Sequence, residues 1–134
     1  MTRRATLESE VQRQILAAIG AEPDFTVFKN AVGVATNYDA EGRPRKHPYG
    51  LGVGSPDLVG ILHVGQCIGC WVCLEVKVPG EDADPHQAVV HDQWRAMGAL
   101  VYVVHSAKEA IGALACARGE IEVAMIRWAD EVYE

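Results

Sequence analysis

Read as a pattern of apolar and polar positions, the chain divides into helical and extended stretches. Within residues 7–20, Val11, Ile15, Leu16 and Ile19 recur on one helical face, Thr6 stands before them as an N-cap, and Gly20 with Pro23 closes the segment. Two short β-rich runs follow, 25–28 and 32–36, interrupted by Lys29-Asn30. Residues 40–56 are rich in Gly and Pro and read as a loop. The apolar run 57–64, a turn at Gly65-Gln66 and the β-formers of 70–78 then predict a hairpin. Asp84-Pro85 opens another helix, with Asp as N-cap and Pro at the first helical position, and that helix stops at Gly98. A short buried strand covers 100–104, and the Ser106 to Glu109 capping-box spacing starts a helix that ends near Gly119. A final helix over 120–133 carries Ile121, Ala124, Met125 and Trp128 on one face. This order predicts a mixed α/β or α+β domain.

Composition narrows the class. A chain of 134 residues suits one domain with one core, and 49% hydrophobic with 22% charged residues is ordinary for a soluble globular protein. No apolar run reaches the roughly eighteen residues of a membrane span. Polar residues, not an apolar stretch, follow Met1-Thr2-Arg3-Arg4-Ala5, so no signal peptide is expected and a cytoplasmic location is the default. The formal net charge of −6 opposes nucleic-acid binding only if charge is spread evenly. It is not. Residues 42–50 hold Arg43, Arg45 and Lys46 with no acid, whereas 120–134 hold five acids against Arg127 alone. The basic stretch is a candidate DNA contact, and a solvated loop explains it equally well.

The strongest chemical signal is Gly54-Ser55-Pro56-Asp57, followed eighteen residues on by Glu75-Val76-Lys77. On a strand, Glu75 and Lys77 project to the same side, from a run otherwise made apolar by Trp71, Val72, Leu74, Val76 and Val78. Charges in such a run are costly without partners. If 57–64 pairs with this strand, Asp57 approaches Glu75, and two adjacent carboxylates call for a divalent cation. Mg²⁺ suits such a site, because it takes oxygen ligands and leaves positions open for a phosphate. A structural Glu75–Lys77 pair at a sheet rim is the plain alternative. Glu8 falls on the apolar face set by Val11, Ile15 and Ile19, where it wants a cation or a donor, unless it is simply a first-turn acid. Gln87 shares an inward face with Val90, His91 and Trp94, but it also stands where it would complete a cap with Asp84.

Taken in order, these stretches resemble the virus-type replication–repair nuclease (VRR-NUC) family of the PD-(D/E)xK superfamily. The matching segments are Glu8-Ser-Glu-Val-Gln12, Lys29-Asn30-Ala-Val-Gly33, Gly54-Ser-Pro-Asp57, Leu74-Glu75-Val-Lys77, Gln87 with Gly98 eleven residues later, and Ala99 to Ser106. The resemblance spans residues 7–117 and implies a restriction-endonuclease-like α/β core, a mixed β-sheet flanked by helices, over 1–119, with 120–134 as a C-terminal helix on that domain or at a dimer interface. It implies Asp57, Glu75 and the Val76 carbonyl as ligands of Mg²⁺ or Mn²⁺, Lys77 as the catalytic lysine, and Glu8 and Gln87 as accessory active-site residues. Asn30 falls at a DNA-facing position. The implied activity is hydrolysis of branched DNA, such as four-way junctions, by a homodimer. The segment after Lys77 (Val-Pro-Gly-Glu-Asp-Ala-Asp) departs from this picture in being acidic beside a DNA groove.

Cys67-Ile-Gly-Cys70-Trp-Val-Cys73 offers a rival, a zinc or iron–sulfur site completed by Cys116 or His63. On a strand, residues three apart alternate faces and their sulfurs diverge. His91 and His105 read as core or surface side chains rather than metal ligands. A DNA-binding module without catalysis is the third class, against which the intact Asp57, Glu75 and Lys77 stand.

Overall fold

Alternation along two neighbouring strands sets the architecture. The computed structural model describes residues 2–65 and 68–133. Its elements are α1 (Arg3–Ile19), β1 (Phe25–Lys29), β2 (Gly33–Tyr38), β3 (Pro44–Tyr49), β4 (Leu58–Val64), β5 (Ile68–Val76), α2 (Pro85–Ala96), β6 (Leu100–Val104) and α3 (Ala107–Tyr133). One face of β4 and β5 presents Leu58, Leu62, Val72, Leu74 and Val76 to Ile15 and Ile19 of α1 and to Ala110, Leu114, Ala117 and Ile121 of α3. The opposite face presents Val59 and Cys73, which pack with Ala99, Val101 and Trp94. The result is three layers, with α1 and α3 on one side of the sheet and α2 on the other.

The sheet order is β1-β4-β5-β6. β1, β4 and β5 are antiparallel neighbours, and α2 carries the chain across to a parallel β6. This is the expected mixed sheet flanked by helices. Each fully buried Leu contributes roughly 1.5–3 kcal/mol, so the central strands hold the body together and fix the ends of β4 and β5 against one another.

Three expectations needed correction. Helix α1 starts four residues earlier than its apolar periodicity suggests, because Thr2, not Thr6, caps it by accepting from the Ala5 N–H. Residues 44–49 form strand β3, paired with β2 as a separate two-stranded sheet, rather than lying in a loop. The helix does not end at Gly119. A stripe of Ala110, Ala113, Leu114, Ala117 and Ile121 crosses that glycine unbroken, and α3 runs on as one helix to Tyr133. Its cost for one exposed glycine, about 1 kcal/mol, is small beside the burial of Ile121. Beyond Met125 the same stripe continues into Trp128 and Val132, which have nothing beneath them and are 62% and 52% exposed.

Candidate active site

The site lies where β4 begins and β5 ends. Leu58 pairs with Leu74 in the antiparallel register, so Asp57, one residue before β4, stands beside Glu75. The Val76 N–H donates to Asp57 Oδ2 at 2.9 Å, which fixes that carboxylate. A glycine makes the approach possible. Gly54 sits at φ 85°, and a Cβ there would strike the His86 ring and Val90 of α2. Asn30 locks the same segment, donating to Ser55 Oγ and the Pro56 carbonyl and accepting from the Leu51 N–H.

Glu75 points to the α2 side of the sheet and is 1% exposed. Gln87 Nε2 donates to its Oε1 at 3.0 Å, and the His91 Nε2 lies 3.2 Å from its Oε2. Lys77 Nζ is 4.0 Å from Oε1, held there because the Lys77 N–H extends the parallel pairing to the Val104 carbonyl. Both sequence readings of Gln87 are correct at once. Its amide oxygen accepts from the Asp84 N–H while its amide nitrogen reaches Glu75, so the helix cap also aims the side chain.

Burial first, and the neighbouring Asp57 second, push the Glu75 carboxyl up to about 9. Glu8, half-buried on α1, adds a smaller push in the same direction. Burial holds the His91 imidazole below its ordinary pKa, so a neutral ring shares the hydrogen bond with Glu75. Two carboxylates in this position demand a proton or a cation. Asp57, Glu75 and the Val76 carbonyl are all oxygen donors of the kind a hard divalent cation prefers, and the donor set therefore fits Mg²⁺ or Mn²⁺. Among the described residues no three His, Cys, Asp or Glu side chains form a ready-made metal cage, so such an ion would rely on this carbonyl and on water.

A cleft of about 550 Å³ opens beside Asp57, lined also by Gln12, Lys29, Gly33, Tyr49, Gly50 and Gln87. Glu8 lines a shallower hollow that shares Gln12 with it. The structure thus gathers Asp57, Glu75, Val76, Lys77 and Gln87, with Glu8 near enough to act on Glu75 electrostatically. Arg45 and Lys46 on β3, and Arg43 just before it, are exposed and take no part in this cluster. Arg43 is paired with Asp39 and Glu41, and Arg45 with Asp39, whereas Lys46 takes part in none of these pairs. The sequence places His91 in the core, where it is 1% exposed, but does not reveal its bond to Glu75. A partial signal for that bond is present, since His91 follows Gln87 by four residues on the inward face of α2.

The acidic stretch after Lys77 is largely committed elsewhere. Glu81 binds Arg4 at 2.7 Å, its carbonyl meets His105 Nε2, and Asp84 caps α2. Of the cysteine motif, Cys67 lies outside the described residues. Cys70 packs against the α1/α3 core, while Cys73 packs on the α2 side, so these two thiols diverge. Burial pushes the Cys73 thiol up to about 12, away from the thiolate a metal needs. Cys116 is exposed on α3. Among the described residues no helix is long and apolar enough to cross a membrane.

No family model and no curated protein matches this sequence. Among solved structures, the chain is similar to a protein described as "VRR_NUC domain", with a TM-score of 0.53 and 29% identity over 81% of this chain and 94% of that one. The shared mixed sheet and flanking helices make the fold restriction-endonuclease-like. This likeness, together with the ordered motifs from Glu8 to Ser106, supports the resemblance to VRR-NUC nuclease-type domains.

Proposed function

We propose that the protein is a divalent-metal-dependent DNA endonuclease whose catalytic group is Asp57, Glu75 and Lys77. The observation that carries this reading is the convergence of a buried, doubly held Glu75, a backbone-fixed Asp57 and the Lys77 ammonium beside an open cleft. Asp57, Glu75 and the Val76 carbonyl would hold the cation. A bound Mg²⁺ or Mn²⁺ supplies an acidified water and a polarised scissile phosphate.

The chain's own groups do the rest. Gln87 and His91 each take one oxygen of Glu75, so the carboxylate has one orientation. Lys77 offers its ammonium protons to the attacking water and to the charge that grows on the non-bridging phosphate oxygens as the P–O bond to the leaving group breaks. Gln12, which lines both the cleft and the hollow that holds Glu8, orients the nucleotide with Glu8. Asn30 acts by holding the 51–57 segment in place. Arg43, Arg45 and Lys46 meet backbone phosphates on the β3 side.

The substrate we propose is branched DNA, cut by a homodimer that brings two sites to one junction. The apolar outer end of α3, with Trp128 and Val132 uncovered, supports a contact between copies. Trp128→Glu should then leave a folded monomer.

The deciding experiment is cleavage of labelled linear, flapped and four-way-junction DNA with Mg²⁺, Mn²⁺ or EDTA. Metal-dependent cutting by the wild type, lost by about 10²-fold or more in Lys77→Ala, is expected. Binding of DNA without any cutting would favour a non-catalytic DNA-binding module.

A further inference from the structure

The β2–β3 hairpin is built unlike the rest of the molecule. Among the described residues it packs on no other strand or helix. Apart from Gly33, every residue of both strands is exposed. An arm with no core has no folding reason to carry aromatic residues, yet Tyr38 and Tyr49 are 72% and 49% exposed. Only Tyr49 faces the catalytic cleft. It pairs with Gly33 across the hairpin, and its ring lies over that glycine, in the space a side chain there would occupy. The phenol end of the ring therefore covers the Gly33 backbone, and the side chain lines the cleft together with Lys29, Asp57 and Gln87.

The base of the arm is held firmly. Asn30 bonds the segment that follows β3 at three points. Gly50, at φ 83°, presses against the Ala31 carbonyl and Val32, where a Cβ would collide. Tyr49 thus stands at the anchored root of the arm and lines the same cleft as Asp57 and Lys29.

We infer that Tyr49 is a stacking platform for one unpaired nucleobase next to the scissile phosphate; this rests on the nuclease reading above. A base–aromatic contact tolerates any sequence, because every base has a π-face. A base inside a duplex is already stacked and must be extruded at a cost of a few kcal/mol. Tyr49 therefore selects strand ends, flaps and branch points over continuous duplex, and Lys29 steadies the adjoining phosphate.

The test is the affinity of the full chain, in EDTA, for two labelled DNAs of equal length. One is fully paired and one carries unpaired nucleotides at a flap. Wild type should favour the flap. Tyr49→Ala should lose flap affinity by roughly 5- to 100-fold, with duplex affinity within about twofold, while Tyr49→Phe keeps the preference. A purely structural tyrosine, one that only covers Gly33, would lower both affinities together. Wild type binding flap and duplex alike, or Tyr49→Ala keeping the wild-type ratio, overturns the inference even if metal-dependent cutting is intact. Absence of both cutting and DNA binding in the wild type would overturn the nuclease reading, and this inference with it. Thermal unfolding of Tyr49→Ala and Tyr49→Phe shows whether the arm's loss of affinity comes from lost folding.

Discussion

The carboxylate site and the β2–β3 arm border one cleft and are built on opposite principles. At the site, Gln87 and His91 each meet one oxygen of Glu75, the Val76 N–H holds Asp57, and Lys77 stands at ion-pair distance from Glu75. The arm has almost no such partners beyond its root and its Asp39 turn. A reacting group needs one geometry, so it is placed on central strands and held by buried bonds. A surface that meets a long, variable polymer needs reach and charge, and it can be carried on an arm whose loss leaves the core intact. Changes at the site should therefore alter chemistry and stability together, while changes in the arm should alter binding alone.

The largest expected effect is at Glu75. In EDTA, its raised pKa means that the folded state holds a proton the unfolded chain releases near the ordinary carboxylate range. Stability from this group is then fully present below about pH 4.5 and is lost as pH rises toward about 9. Across that window the wild type should lose on the order of a few kcal/mol, read by urea unfolding. Glu75→Gln should remove most of that slope and abolish cutting. A wild type as stable at pH 9 as at pH 5 would contradict the account.

His91 sharpens the contrast from the other direction. His91→Leu fills the space without a donor and should weaken Mn²⁺ binding about 10- to 100-fold. His91→Gln, which keeps an N–H, should restore part of it. If both variants bind Mn²⁺ like the wild type, His91 is a packing residue only.

The smallest effects should come from the arm's charged side chains. Lys46→Glu should weaken DNA binding several-fold and lower the salt slope by about one phosphate contact. Arg43→Ala should do less, because that side chain must leave Asp39 and Glu41 before it can meet a phosphate. Neither should change unfolding stability by more than about 0.5 kcal/mol. Larger losses of stability would show that the arm is part of the folded core.

The same division explains what the sequence revealed. β4, β5 and β6 each show an apolar pattern against a core, and Asp57 opposite Glu75 followed from the hairpin they suggest. The capping signals of α2 were equally clear, since Asp84, Pro85 and Gln87 act locally. β3 was hidden because both of its faces meet water, so Pro44 to Tyr49 shows no alternation, and its two prolines look like loop residues. At Gly119 a local stop signal was outweighed by a stripe of contacts with α1 and the sheet. The bond from His91 to Glu75 was hidden because one histidine on an apolar helix face means little until its partner, sixteen residues away, is brought to it.

The most direct test of the central claim is calorimetric titration of Mn²⁺ into metal-free wild type and Glu75→Gln at one pH. The account predicts saturable binding by the wild type that Asp57 and Glu75 share, reduced at least tenfold in Glu75→Gln. Equal binding by the two proteins would mean that the buried carboxylate pair is not the metal site.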